Sequence, residues 1–180
     1  MRRINVLLCL LVICLATAVH AQPPKPNPEL KKLQAYLGHW TVEGEVKQGP
    51  QGPGTKFKGT YDGQMTLGGF FFQGQMRDSK GVLQGIDYFG YDAATKNFVV
   101  DSHLVEGVRI SQVGSVSGNT FSWTGKASTP TGEQISIRER DAFTPDFTSF
   151  TITVESSPDG KTWVHVFEGK YTKASAAPEK

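Results

Sequence analysis

The side chains best suited to chemistry in this sequence are few and far apart. His39, His103 and His165 stand 64 and 62 residues from one another. They lack the i, i+2 or i, i+4 spacing that brings two imidazoles to one face for zinc, so only the fold could join them. His165 alternates with Trp163, Phe167 and Tyr171, which in a regular strand places it on a face with three aromatic rings. It is then either a neutral ligand group in an aromatic lumen or a histidine bonded to a neighbour. Glu139 lies mid-strand in "ISIRERDAF", following Ile135 and Ile137 at period two. Arg138 and Arg140 share the opposite face with Gln134 and Ser136. An inward Glu139 needs a partner to offset its burial. Beside Asp101 or His103 it would be a general acid–base group or a ligand contact; otherwise it is half of an internal ion pair.

Other motifs are absent or have simpler explanations. "SPDGKTW", residues 157–163, falls one residue short of the Asp box of sialidase-type propellers and occurs once. A hairpin with Asp159-Gly160 at its tip accounts for it. No nucleophile elbow, phosphate loop, paired-cysteine motif or asparagine sequon is present. The sequence therefore predicts no catalytic set, no metal site and no resident cofactor.

Positioning such residues starts with the address at the N-terminus. Arg2 and Arg3 precede the apolar run Val6–Leu15, and Val19-His20-Ala21 forms a small-residue cleavage site. This pattern predicts a cleaved secretory signal peptide over residues 1–21, too short to span a bilayer. Export to the periplasm or beyond follows. Cys9 and Cys14 both lie in that segment, so the 159-residue remainder has no disulfide or thiolate chemistry. Without Arg2 and Arg3 the 19 basic residues fall to 17, equal to the 17 acidic ones. A neutral surface does not suit nucleic acid or an anionic membrane.

The elements read as follows. Residues 22–28 form a proline-rich leader, 29–173 one domain and 174–180 a polar tail. Asn27 can cap a helix, Pro28 suits its first position and Glu29 its positive end. Leu30, Leu33 and Leu37 lie on one side of that short amphipathic helix, and Gly38 ends it. After Gly38 the hydrophobic period changes to two, predicting ten strands near 39–47, 56–66, 69–77, 82–91, 96–103, 107–116, 119–127, 132–143, 147–156 and 162–172. Turn-forming stretches such as Asp78–Gly81, Ser117–Asn119 and Pro158–Lys161 separate them. Connections that short require antiparallel neighbours. The expectation is all-β: a ten-stranded antiparallel up-and-down barrel with one short N-terminal helix, closed because a flat meander would expose its edges. Ten strands enclose more room than eight, so an internal cavity is expected. Gly49–Gly54 reads as a mobile loop between the first two strands.

Leu37-Gly38-His39-Trp40, Gly90-Tyr91-Asp92 at a hairpin, and Asp159-Gly160-Lys161-Thr162-Trp163 before a strand carrying Glu168 and Tyr171 resemble a bacterial family of exported domains, domain of unknown function 1579. The likeness runs from about Pro28 to Lys173. It implies an extracytoplasmic barrel and supplies no catalytic residues. Gly38-His39-Trp40 also resembles the opening Gly-X-Trp of calycin barrels, the lipocalins, fatty-acid-binding proteins and nitrobindins. There the tryptophan plugs the closed end, and lipocalins set an arginine over it from the last strand. Here the last strand offers Lys161, Lys170 and Lys173. Nitrobindins resemble Gly-X-Trp-X-Gly-X-Gly, whereas Val42 replaces the first of those later glycines. The likeness to nitrobindins implies haem bound through His165 as an alternative role.

The leading expectation is an exported calycin-like barrel that takes a small apolar molecule out of water. Strand parity nominates Phe70, Phe72, Phe89, Tyr91 and Trp123 as ligand contacts, joined by Glu139, His165 and Phe167. A third alternative is an envelope interaction module whose loops meet a protein partner, with the barrel as scaffold.

Overall fold

A computed structural model describes residues 24–48 and 53–174; the expected signal peptide, most of the loop Gly49–Gly54 and nearly all of the tail lie outside them. Ten strands follow the chain in simple succession. They are β1 Gly38–Val46, β2 Thr55–Thr66, β3 Phe71–Asp78, β4 Leu83–Asp92, β5 Asn97–Leu104, β6 Arg109–Ser117, β7 Thr120–Ser128, β8 Gln134–Phe143, β9 Ser149–Ser157 and β10 Val164–Lys173. Each pairs with its sequence neighbours, and β1 pairs antiparallel with β10, closing the barrel. Every expected strand is present, with its ends within about two residues of those read from alternation and turns.

The N-terminal helix differs in kind from the expected one. Asn27 caps it, accepting from the Glu29 amide at 2.9 Å, but Pro28–Tyr36 winds as a 3-10 helix. At three residues per turn the buried stripe becomes Leu30, Leu33 and Tyr36. Leu37, which 3.6-residue spacing would place on that stripe, is instead the extended C-cap. Gly38 then turns into β1 at φ +113°, a backbone region that suits glycine.

Alternate inward residues from all ten strands fill the end of the barrel beneath this helix. Trp40, Phe72, Phe121, Phe143 and Phe150 are buried there, and the Tyr36 ring inserts among them. Its centroid lies 4.9 Å from those of Phe121 and Phe143 and 5.5 Å from that of Phe150. Trp40 Nε1 donates to the Tyr36 carbonyl at 2.9 Å, so the helix and the first strand are locked together. Trp40 therefore belongs to a plugged floor, as its position after Gly38 suggested. His39 points the other way and pairs at the surface with Asp62 at 2.5 Å.

The opposite end is not plugged. There the connections between β3 and β4, β5 and β6, and β9 and β10 ring an opening. Val46, Val82, Leu104, Val105 and Val164 form an exposed apolar rim at that end.

Candidate ligand cavity

Between floor and rim lies a cavity of about 550 Å³, within the range of sites that hold a drug-sized molecule. Its geometry follows from strand register. Phe89 on β4 faces Val100 on β5, Asp87 faces Ser102 and Gly85 faces Leu104, so one inward column runs from ring to carboxylate to open rim. On the far wall, Glu139 of β8 faces Val154 of β9, and Asp141 faces Ile152. Phe167 enters from β10 opposite Val154 and stacks on Phe57 with centroids 5.7 Å apart. The Tyr36 hydroxyl, carried on the helix, forms part of the cavity floor.

Three carboxyl groups therefore converge inside an aromatic chamber. Asp141 Oδ2 accepts from the Tyr36 hydroxyl at 2.5 Å and from Trp123 Nε1 at 2.9 Å. Its other oxygen, Oδ1, receives no hydrogen bond from a fixed N–H or O–H donor. The neighbour able to fill it is the Glu139 carboxyl, two residues along the same face, and only if that group carries a proton. Burial, and then the charge of Asp141, push Glu139 well above the usual carboxylate range. Burial also raises Asp141, to about 6, against the opposing pull of its Tyr36 and Trp123 hydrogen bonds. Asp87 is raised by burial too, with Ser102 and Tyr61 as hydrogen-bonding partners that hold it down in part. Near neutral pH the pair thus approximates one carboxylic acid donating to one carboxylate. On β6, level with Gly125 of β7 and Ile137 of β8, Gln112 is buried and its Nε2 has no partner.

The residues nominated from sequence scatter over three environments. Phe89, Glu139 and Phe167 line the cavity. Trp123 sits one layer behind, buried against Phe121 and holding Asp141 through its indole N–H. Phe72 is part of the floor. Tyr91 packs edge-on to Phe98 at 5.2 Å on the floor side, and Phe70 caps the 3-10 turn Leu67–Gly69 there, before β3 begins. His165 is the clear correction. Register runs Val164 to Ser156 and His165 to Glu155, then skips to Phe167 against Val154. Val166 is thus a bulge residue, and its carbonyl is taken by the Lys47 amide at 2.8 Å. The extra residue inverts parity. His165 falls outside beside Glu155, a ring nitrogen 2.9 Å from the Phe167 carbonyl, while Phe167 turns inward.

Glu139 does point inward as expected, but its companion is Asp141. Asp101 and His103 face out, where Asp101 pairs with Arg109 at 2.9 Å. No histidine borders the cavity among the described residues, so the donor set does not fit a lumenal haem held through His165. Nor does any cluster of three potential metal ligands occur among them. No helix among them is long and apolar enough to cross a membrane.

Several cavity groups escaped the sequence reading. Asp141 could have been found by carrying the Ile135, Ile137, Glu139 alternation one step further, and Asp87 by doing the same from Phe89. Tyr36 had only the three-residue spacing Leu30, Leu33, Tyr36 as a signal.

Comparison with known proteins places this architecture. The family model described as a protein of unknown function (DUF1579) matches residues 25–173. The crystal structure of Rv2717c from M. tuberculosis is similar over 84% of this chain and 100% of that one, with 16% identity and a TM-score of 0.58. A protein of unknown function from the DUF3598 family of Nostoc punctiforme is similar over 86% of this chain and 53% of its own, with 12% identity and a TM-score of 0.48. At such identities the likeness concerns the fold. No curated protein matches the chain.

Proposed function

The chain belongs to the family of unknown function DUF1579, and from that premise we propose that it is an exported barrel that binds a small, largely apolar molecule. The observation that carries the reading is the cavity of about 550 Å³. A protein interior is ordinarily packed close to crystal density, and here the plugged floor shows that this chain has the aromatic residues to fill its own centre. Instead many of the inward positions beyond the floor are glycine, serine, aspartate and medium aliphatics such as Val100, Ile110 and Ile152, and the rings there, such as Phe57 and Phe167, stand around open space. The mechanism is passive: aromatic walls take the ligand from water, and a few polar groups orient it. The exposed valines and Leu104 around the mouth give an apolar solute a surface to cross on entering.

Export is part of the same proposal and rests on the Arg2-Arg3 start, the apolar run and the Ala21 cleavage site. N-terminal sequencing of protein recovered from cells should begin at Gln22.

For binding, purified protein is incubated with a total lipid extract and analysed by native mass spectrometry. The expected result is a discrete adduct at one ligand per chain, absent from Val154→Trp, which places an indole inside the chamber. A bare mass for the wild-type chain after exposure to lipid and hydrophobic-metabolite extracts alike would refute the reading.

A further inference from the structure

We propose that the molecule held in this cavity carries a positive charge: an organic cation, such as a protonated amine or a quaternary ammonium with an apolar body, seated with its charged end among Asp87, Glu139 and Asp141. The inference rests on the binding reading above and specifies the chemistry of its ligand.

Charge balance is the first argument. Three carboxyls stand in the depth of the chamber, and Asp78 and Glu106 border its outer part. The one basic side chain among the described lining residues is Arg77, whose guanidinium is turned to the rim, donating to the Gly81 carbonyl at 3.2 Å and to Gln75 Oε1 at 2.9 Å. The undescribed residues 49–52, Gly-Pro-Gln-Gly, add no charge. Surface carboxylates of this protein do find cations: Glu43 takes Lys58, Asp101 takes Arg109 and Glu155 takes Arg138. Among the described residues the lumenal ones find none. A buried carboxylate without a counter-charge is costly, and an entering cation supplies it.

The wall suits a cation as well. The faces and edges of Tyr36, Phe89, Phe150, Tyr61 and Tyr171 surround the carboxyls. Aromatic faces attract cations through their quadrupole, most strongly where water is excluded. An anionic ligand would meet repulsion from both the carboxylates and those faces. A neutral one would leave the charge uncompensated.

Gln112 stands apart from the acidic cluster. Gln112 is 6% exposed, points inward on β6 between Val100 and Gly125, and has an amide nitrogen with no partner. A buried amide left open toward a cavity is an unfilled hydrogen-bonding position. By register it is level with Gly125 on β7 and Ile137 on β8, two strands from Asp141 and nearer the mouth, so it would meet a hydroxyl or carbonyl further along the same ligand. A cationic head, an apolar middle and a polar atom some distance away would answer both the carboxylates without a counter-charge and the open Gln112 amide.

The test uses matched probes on the intact mature chain: decylamine, decyltrimethylammonium, decanol and decanoate, titrated below their micelle concentrations by calorimetry at neutral pH. Decylamine and decyltrimethylammonium should bind at least tenfold more tightly than decanol, and decanoate should be weakest. Asp141→Asn and, separately, Asp87→Asn should each erase most of the preference of the cations over decanol, read as the ratio of the two affinities within each variant. The second variant removes a carboxylate without touching the Tyr36 and Trp123 hydrogen bonds, so a loss of folding in the first does not decide the outcome. Equal binding of amine, alcohol and acid would overturn the cation while sparing the apolar carrier. Binding of none of the four, together with a bare mass after extract exposure, would remove the carrier as well. Cation binding that survives both substitutions unchanged would also overturn the assignment.

Discussion

The two halves of this barrel are made from the same ten strands with the same alternation, yet one is solid and the other hollow. Below the level of Asp141 the inward positions are tryptophan, phenylalanine and tyrosine, packed ring on ring: Phe143 lies 4.4 Å from Phe150, and Phe150 4.4 Å from Tyr171. Above it they are small or polar, and the rings that remain stand around space. The helix explains the asymmetry in part. It covers one end only and contributes Leu30, Leu33 and the central Tyr36 to that end alone. The solid half holds the ring packing and the hollow half the carboxyl cluster. Tyr36 joins them, because its ring belongs to the floor and its hydroxyl to the carboxyl cluster.

The largest effect that would sharpen this contrast is a truncation on either side of the boundary. Trp40→Ala removes a fully buried indole from the plug and should cost about 3–5 kcal/mol by urea unfolding. Leu104→Ala, on the hollow side and 36% exposed, should cost about 1 kcal/mol or less. Equal losses at the two sites would mean that the upper half is packed after all.

A smaller effect comes from adding an atom where the sheet has none. Gly74 on β3 lies beneath Tyr61, and a Cβ there would fall 1.9 Å from the phenol oxygen and 2.3 Å from Cζ. The Tyr61 ring would have to leave its place beside Asp87. Gly74→Ala should therefore destabilise by about 1–3 kcal/mol and also disturb the cavity wall. Gly81→Ala, whose Cβ would meet nothing within 4 Å although its φ is +80°, separates backbone strain from side-chain collision.

How far this division was legible in the sequence depends on the kind of regularity involved. The strands could be read because each turn has its own punctuation and the alternation between turns is long. Glu139 could be placed inward for the same reason, since three inward positions on β8 precede or include it without interruption. His165 could not, because one bulged residue at Val166 inverts everything before it, and no residue type marks that bulge. The floor tyrosine was hidden by helix type: an α-helix and a 3-10 helix share Leu30 and Leu33 and diverge at the next position, Leu37 against Tyr36. Cavity and plug were not distinguishable at all from alternation. Apart from the interruptions at Val166 and Met76 both halves alternate alike, and the difference lies in side-chain volume summed across ten strands that only closure brings together.

The carboxyl cluster also makes the halves respond differently to pH. Asp87, Glu139 and Asp141 hold their protons more tightly in the folded chain than unfolded carboxylates do, Asp141 to about 6. Between about pH 4 and 7 the native state therefore binds more protons than the unfolded one, so their contribution to stability is complete below the unfolded pKa and is lost as pH rises. Exposed groups such as Asp159, lowered to about 2 by the Thr162 and Lys161 amides, act with the opposite sign but only below about pH 4. Among groups packed around Asp141, the Tyr36, Tyr61 and Tyr171 phenols are raised further by burial and stay protonated throughout. Unfolding midpoints of the ligand-free protein should fall by a few degrees between pH 5 and 7.5. Glu139→Gln should flatten that slope, and an unchanged slope would show that the lumenal carboxyls are hydrated rather than buried.

The smallest effect lies at the outer surface of the solid half, where the Lys173 ammonium stands 5.2 Å from the centre of the Trp40 ring. The last strand thus sets a lysine over this tryptophan. A lysine offers a mobile point charge, where an arginine would offer a planar fork that can both stack and donate to several carbonyls. A cation over an aromatic face at a partly exposed site contributes about 0.5–1 kcal/mol. Lys173→Met, which keeps the aliphatic cover and removes the charge, should cost no more than that. Lys173→Arg should recover it or exceed it, because the guanidinium can stack on the indole. If the methionine variant instead loses as much as Trp40→Ala, the floor is held shut from outside by this one side chain, and the packing of the rings beneath it is the weaker of the two restraints.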